Sequence, residues 1–452
     1  MTSARSRLID GPIGPTLVWL AAPNMLAAFV QSLISVVEGW LIGGLGIIAL
    51  AGAALVFPLF MLTTMWSAGA IGGAVAGATA RALGADDRAQ GEAVLRAALV
   101  IALAGAAGMA VLIVGFGAVL FMALGGDGAV LQAALAYSRP LFVGIVAVWL
   151  FNIAASVLRG SGDTTRPAIA LIVIATVHAP LAWVLIHTAG LGIAGAGFAM
   201  PIAYAVGAAM LFVRLRSGRA AVTLRRGGVP ISATMPILRN GSLAAAQSAM
   251  TVGMSLVVTA IVGRLGIEWL AGYGIGARLE FLVIPIIFGI GGALIAMTGA
   301  NVGAGRRQRA VRVAWTGGLT AAAIVGAIGI LVALWPGLWV GLFSTDPATV
   351  AAAGLYFRLV GPFYGFFGLG LCLYFASQGL DSLVWPVIGT ALRLVVVLVG
   401  GFGLLALDSA TPTRVFMVVA AAMALYGLFV AAALRLGPWR PVTDRPVPSA
   451  GA

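Results

Sequence analysis

The chain lacks lysine, and in 452 residues it has one cysteine, two histidines and only 13 acidic residues. Each scarcity excludes something. The single thiol, Cys372, can form neither an intrachain disulfide nor a multi-cysteine metal site. The two histidines, His178 and His187, make no His-x-x-x-His or His-Glu-x-x-His pattern, and no nucleophile elbow is present. No catalytic constellation, resident metal or cofactor is therefore expected, and an intramembrane enzyme is the weaker reading. Charged residues make up 9% of the chain, whereas a soluble domain carries about 25%. That leaves too little polar surface to cover a water-soluble globule.

What the chain has instead is 62% hydrophobic residues, gathered in long runs. A spanning helix needs ~20 apolar residues to cross a ~30 Å hydrocarbon core. Such segments fall at 15–42, 49–80, 92–116, 130–157, 166–188, 194–215, 237–262, 270–300, 312–335, 348–376, 385–406 and 413–435. The fold class expected is an all-α integral membrane protein of about twelve transmembrane helices. Met1 to Asp10 is short and polar, and the apolar run after it is too long for a signal peptide. It reads as a retained N-terminus.

The net charge of +13 comes entirely from arginine. A nucleic-acid partner is not expected, because the arginines form no single patch. They sort by loop. Arg5 and Arg7 precede the first segment, Arg81, Arg88 and Arg96 flank the second loop, and Arg159 and Arg166 flank the fourth. Arg214, Arg216, Arg219, Arg225, Arg226 and Arg239 mark the sixth, and Arg306, Arg307, Arg309 and Arg312 the eighth. Arg435, Arg440 and Arg445 follow the last segment. The opposite loops hold only Arg264 and Arg414. By the positive-inside rule both termini and the middle loop are cytoplasmic, in a bacterial plasma (inner) membrane.

The two halves echo each other at one spacing. Asp127, Tyr137, Arg139, Gly160 and Pro167 recur as Asp346, Tyr356, Arg358, Gly379 and Pro386, each 219 positions on, and Gly84-Ala85 returns as Gly303-Ala304. Six spans per half bring the chain back to the same side, so the repeats are parallel. The domains expected are a six-helix lobe at 1–216, a basic linker at 217–234, a second six-helix lobe at 235–437 and a disordered cytoplasmic tail at 438–452. Pro23, Pro58, Pro140, Pro180, Pro285 and Pro362 fall inside helices, where they allow kinks. A duplicated bundle of this kind is the architecture of a secondary transporter, with its site between the repeats.

Ionisable residues at membrane depth are costly and mark function by default. Glu38 is the first candidate. Gln31 and Ser35 precede it by seven and three positions and share its helical face. A buried carboxylate is pushed toward its neutral form, which suits an ion carrier; the bland alternative is an interfacial acid beside Trp40. Gln247, Thr251 and Ser255 form a similar stripe in the second half without the acid. Glu280 and Arg278 lie two apart, too far around a helix to pair, so one of them faces the cavity. His178 can share a proton with a carboxylate, though a structural histidine is as ready an explanation. Asn152 can donate to Glu38 or cap a local backbone break. Tyr137-x-Arg139 and Tyr356-x-Arg358 read as membrane-edge anchors. Trp66, Met61, Met65 and Trp149 can line a cavity or face lipid.

Four loop motifs carry a family resemblance: Leu158-Arg159-Gly160-Ser161-Gly162-Asp163-Thr164, Asn301-Val302-Gly303-Ala304-Gly305-Arg306, Ala82-Leu83-Gly84-Ala85-Asp86 and Gly192-Ile193-Ala194-Gly195-Ala196-Gly197. With these the chain resembles the multidrug and toxic compound extrusion (MATE) transporters over nearly its whole length. The resemblance implies two six-helix lobes in a V that open alternately to each side. It implies a monomer surrounded by membrane lipid that exports organic, often cationic, compounds against entering protons or sodium. The family's first-helix acid falls on Glu38 and its eighth-helix acid on Glu280. The fifth helix departs from the family's Asn-x-x-x-Asp: this chain has His178 and Ala182 there. Losing that acid disfavours a sodium ion at Glu38, because hard cations want several oxygens. Ion coupling is thus expected at Glu38, His178, Asn152 and Glu280, with Gln31, Ser35, Gln247, Thr251 and Arg278 on the substrate cavity.

Two other transporter readings compete. The major facilitator class has a second-loop signature that fails here, where Gly84 is followed four residues later by Arg88. A lipid-linked precursor or polysaccharide flippase of the same superfamily needs a strongly cationic cavity, for which Arg278 and Arg393 are the candidates.

Overall fold

A computed structural model describes residues 2–439; of the disordered tail expected at 438–452, residues 440–452 lie outside the described residues, while Trp439 is buried and donates to Ser382 Oγ at 3.0 Å. A short helix (Thr2–Asp10) precedes twelve apolar segments. In chain order these are α1 (Ile13–Gly43), α2 (Ile47–Gly84), α3 (Arg88–Ala123), α4 (Gly128–Val143 with Ile145–Gly160), α5 (Thr165–Thr188), α6 (Ile193–Arg216), α7 (Ile231–Gly263), α8 (Ile267–Gly303), α9 (Arg307–Leu334), α10 (Pro347–Leu380), α11 (Val384–Ala406) and α12 (Pro412–Leu436). Eleven are long and apolar enough to span by themselves; α4 is a pair bent by 48° at Gly144, just after Pro140. The all-α membrane fold of two six-helix lobes expected from the sequence is the fold observed.

The helices outrun the apolar runs that announced them. α3 starts at Arg88, four residues before its apolar stretch, because the Asp87 side chain accepts from the Gln90 amide and caps the first turn. The equivalent α4 and α10 begin after the repeated Asp127 and Asp346, and Asp346 caps by accepting from the Thr349 amide at 2.8 Å. That bond holds the Asp346 carboxyl below its ordinary range. Pro167 and Pro386 sit in the first turns of α5 and α11, where the missing N–H costs nothing. Two helices carry a wide turn near a proline: α2 at Met65–Ile71, after Pro58, and α5 at Val184–Thr188, after Pro180.

The lobes meet across α2 and α8. Here the repeated Gly84 and Gly303 are required by close approach: a Cβ on Gly84 would lie 2.2 Å from the Ala300 carbonyl oxygen, and one on Gly303 would lie 1.9 Å from that of Arg81. Interlobe packing continues through the arginine-rich half of the bundle. Gly289 and Gly292 of α8 sit on Met25 and Asn24 of α1, Gly241 of α7 on Ile71 of α2, and Gly77 of α2 on the Gln378 backbone of α10. Toward the other end the first helix of each lobe turns to its own lobe, and Leu33, Val36, Val252 and Leu256 are exposed. The lobes thus close on each other at the arginine-rich end and diverge at the opposite one.

Side chains latch the closed end. Arg81 donates from Nη1 to the carbonyls of Gln378 and Gly379, at 2.9 and 3.0 Å, and lies 3.9 Å from Asp381. Asn240 of α7 donates to the same Asp381. The N-terminal helix, which a polar reading of Met1–Asp10 left without structure, is a strap over this latch. It buries Leu8 and Ile9, Arg5 bonds the Leu83 and Gly84 carbonyls, and Asn301 donates to the Leu8 carbonyl. Asp10 pairs with Arg306, whose hydrogen bond holds the Asp10 carboxyl below its ordinary range.

The segment between the lobes is non-helical from Ser217 to Pro230, and α7 begins at Ile231. It is not a free tether. Ala220 and Val222 are buried, Thr223 donates to Glu92, and Arg96 donates to the Gly228 carbonyl at 2.8 Å.

Arg81→Ala removes two bonds from a charged donor, each worth about 1.5–3 kcal/mol. The closed-to-open equilibrium constant at this end is expected to fall by at least tenfold. Spin labels on Ala89 and Arg312, with the buried Cys372 silent, should then show a longer distance than in the parent. An unchanged distance distribution would show that Arg81 does not hold the lobes shut.

Candidate functional site

The polar face predicted on α1 is real and points into its own lobe. Glu38 is 25 residues into α1, so about 38 Å along the helix from the arginine-rich end. It is 7% exposed. The Tyr137 hydroxyl of α4 donates to Glu38 Oε1 at 2.8 Å. His178 Nε2 of α5 lies 4.0 Å from the same oxygen. The imidazole is buried, and neither ring nitrogen has a hydrogen-bond partner. One turn or two earlier on α1, Gln31 Oε1 accepts from the Tyr204 hydroxyl of α6 at 2.8 Å, while its amide nitrogen is buried without a partner. Ser35 bonds back to the Gln31 carbonyl.

Asn152 takes neither of the two roles considered for it, a bond to Glu38 or a cap on a freed backbone group. Its amide donates to Ser67 Oγ at 2.8 Å, and Ser67 belongs to the wide turn Met65–Ile71 of α2. A wide turn frees backbone groups and recurs at functional sites. Asn152 therefore ties α4 to the irregular part of α2 and makes no bond to Glu38. Trp149 is buried against Gly105 of α3 and Trp66 packs on the same core, which makes them lobe packing.

The second lobe holds a related cluster. The Tyr356 hydroxyl donates to Glu280, which is partly buried. Tyr356 stands where the repeat places Tyr137, so each lobe presses one tyrosine hydroxyl onto one carboxylate. This corrects the expectation that both tyrosines are membrane-edge anchors: Tyr137 and Tyr356 are buried. Their neighbours Arg139 and Arg358 are exposed, as snorkelling side chains would be. The signal in the sequence was the repeat itself, which preserved a hydroxyl that pure anchoring does not need.

The clusters differ in charge. Arg393 of α11 is buried and lies 4.9 Å over the Phe367 ring and 5.8 Å over the Tyr426 ring. Its Nε has no partner. Gln247 is buried nearby in α7 with an unpartnered Oε1, and Thr251 bonds back to the Gln247 carbonyl. Arg278 does not join this cluster: it is exposed, with its guanidinium 5.1 Å over the Phe343 ring. As the two-residue spacing required, Arg278 and Glu280 point apart. No group of three or more metal-ligating side chains occurs among the described residues.

Two six-helix lobes, closed on one another at one end and each enclosing a carboxylate, have the architecture of a membrane transporter. Comparison with known proteins gives its family. The MatE family model matches residues 23–184 and 244–402, one stretch in each lobe. The FAD transporter of Shewanella oneidensis is 25% identical over 382 residues, which is 82% of this chain and 83% of that protein. The probable multidrug resistance protein YpnP of Bacillus subtilis is 26% identical over 382 residues, 80% of this chain and 82% of that one. A solved MOP superfamily transporter from Pyrococcus furiosus superposes with a TM-score of 0.87 at 22% identity, covering 95% of this chain and 97% of its own, which shows the shared fold. The chain belongs to the MATE family; it is a membrane transporter and not an enzyme.

Tyr137→Phe removes the one direct donor to Glu38 and keeps the ring. Stability should fall by only about 1 kcal/mol. In infrared difference spectra on titration, the carboxyl C=O band that Glu38→Gln abolishes should move to higher frequency in Tyr137→Phe. A band that stays in place would show that the bond is absent from the protonated state.

Proposed function

We propose that the protein is a secondary antiporter that exports organic, mainly cationic, compounds in exchange for protons by alternating access. One observation carries this reading. Glu38 is a buried carboxylate whose direct partner is a neutral hydroxyl, with an unpartnered imidazole 4.0 Å away. A lone charge there is expensive, and a proton on Glu38, or shared with His178, removes it. The donors around it are few and partly nitrogen, which suits a proton better than sodium. Glu280 supplies a second carboxylate, Gln31 and Ser35 supply polar wall inside the first lobe, and Gln247 and Thr251 supply it in the second. Asn152 holds the wide turn of α2 that borders this site.

In this reading the arginine-rich end is cytoplasmic, both termini lie there, and the membrane is a bacterial inner membrane. The arrangement described is then the outward-facing one. The two lobes move as units, and the non-helical segment 217–230 joins them, four residues shorter than the 217–234 expected because α7 already begins at Ile231. The protein works as a monomer. A proton taken up on Glu38 lets α1 repack near Pro23, where Asn24 has both amide atoms unpartnered against Gly292. The protonated lobe binds drug less well, so the population shifts toward release by differential affinity.

A second reading rests on Arg393, a buried cation in the same region with an unpartnered Nε. It would suit an anionic cargo, and a relative at 25% identity carries the name FAD transporter.

The test is transport in everted vesicles under an imposed pH gradient, with and without sodium. The parent should move a cationic dye on the proton gradient alone, and Glu38→Gln should lose at least tenfold of the rate. Strict sodium dependence would overturn proton coupling. Intact transport in a Glu38→Ala, Glu280→Ala double variant would overturn the site. Uptake of FAD, abolished by Arg393→Gln, with no dye movement, would put the second reading in front.

A further inference from the structure

At the arginine-rich end of the first lobe, α5 and α6 flank a half-open cavity of about 220 Å³ lined by Arg166, Met210, Leu211, Val213, Arg214, Ser217 and Arg219. It is remote from Glu38 and Glu280, and the transport reading makes no use of it. Three features make it unlike an ordinary basic loop. It is concave and carries three guanidinium groups against one nearby acid, Asp163, which lies 3.9 Å from Arg214. Asp163 is already engaged, since its Oδ1 accepts from the Arg166 amide. Arg214 Nε is buried with no partner, so a fixed donor is left unspent inside the lining. Below the arginines the wall becomes apolar. Val213 is 69% exposed, and Val206, Ile202 and Phe198 continue at helical spacing down the same side of α6, each more than 40% exposed.

A ligand that satisfies both ends needs an anionic head with several acceptor oxygens and an apolar chain leaving it along α6. Guanidinium groups suit phosphate because their planar donors match its oxygens. Basic pockets between membrane helices at the cytoplasmic face are where anionic headgroups sit.

We propose that this cavity is a binding site for one anionic phospholipid of the cytoplasmic leaflet, its phosphate held by Arg166, Arg214 and Arg219 and an acyl chain laid along Val213, Val206, Ile202 and Phe198. The inference takes the arginine-rich end as cytoplasmic but does not depend on what is transported. Arg219 opens the segment that joins the lobes, so an occupied site would also moor that segment to the headgroup layer.

Native mass spectrometry of the intact protein, released from detergent with phosphatidylglycerol or phosphatidylcholine, tests it. The parent should retain one phosphatidylglycerol at least tenfold more strongly than phosphatidylcholine. The triple variant R166Q/R214Q/R219Q should lose that preference. A control, R226Q/R239Q/R312Q, removes the same charge from the same end at exposed positions and should keep it. If the triple variant fails to fold, V213E places an acid where the chain would lie and should weaken retention alone. Equal retention by parent and triple variant, or equal loss in the control, would overturn the site. Glycerol phosphate competing as well as the lipid at equal concentration would overturn the phospholipid assignment in favour of a soluble phosphate.

Discussion

The structure turns on the crossing of α2 and α8 at Gly84 and Gly303. No side chain fits between these helices there, so the two lobes touch backbone to backbone. Close approach of this kind is how membrane helices associate when lipid and side chain are equally apolar. Because Gly84 and Gly303 are equivalent in the repeat, the contact lies on the symmetry relation between the lobes, and each lobe offers the other the same surface. The rest of the interface is arranged about this contact. Arg81, Asp381, Asn240 and the N-terminal strap gather around it, while the far halves of α1 and α7 are left to their own lobes. An interface along the whole bundle would hold the lobes in one arrangement. One confined to a single end, and latched by a few polar bonds, can exchange for another.

The strap and the latch were not legible in the sequence, for a physical reason. Hydropathy finds what lipid covers; it is silent on polar chain packed against polar chain. Leu8 and Ile9 are two apolar residues in a polar decapeptide, below any threshold for a helix by pattern. Likewise Arg81 was counted among loop arginines that set orientation, yet it also donates to two carbonyls across the lobes. By contrast the twelve spans were legible because the bilayer imposes one length and one composition on all of them. Their ends were off by the few residues over which capping, and not burial, decides where a helix stops.

In the candidate site the sequence conveyed which residues share a face and left open which residue across the gap they meet. Gln31, Ser35 and Glu38 lay on one side of α1 by spacing alone. That Glu38 meets Tyr137, and Gln31 meets Tyr204, depends on how α4 and α6 pack against α1, over separations of 99 and 173 residues. The tyrosines were misassigned because an aromatic beside an arginine near a helix end fits the interface. The repeat carried better information. A hydroxyl kept at 137 and 356, when most apolar positions were free to drift, marks a constraint on the hydroxyl itself.

The two clusters share a geometry and differ in charge. In the first lobe Glu38 has a phenol and an imidazole around it, and among the described residues no arginine is paired with it. In the second, Glu280 accepts from the Tyr356 hydroxyl, and Arg393 adds a buried cation to the same lobe. A charge buried with its partner is tolerated in both lobe arrangements, whereas a lone charge is tolerated only where water reaches it. Duplication supplied the tyrosines and not the acids: Tyr137 and Tyr356 are 219 positions apart, whereas Glu38 corresponds to Val257 and Glu280 to Met61. Each lobe therefore offers the same hydroxyl to an acid on a different helix, Glu38 on α1 and Glu280 on α8, and substitution around a common frame made the two clusters unlike.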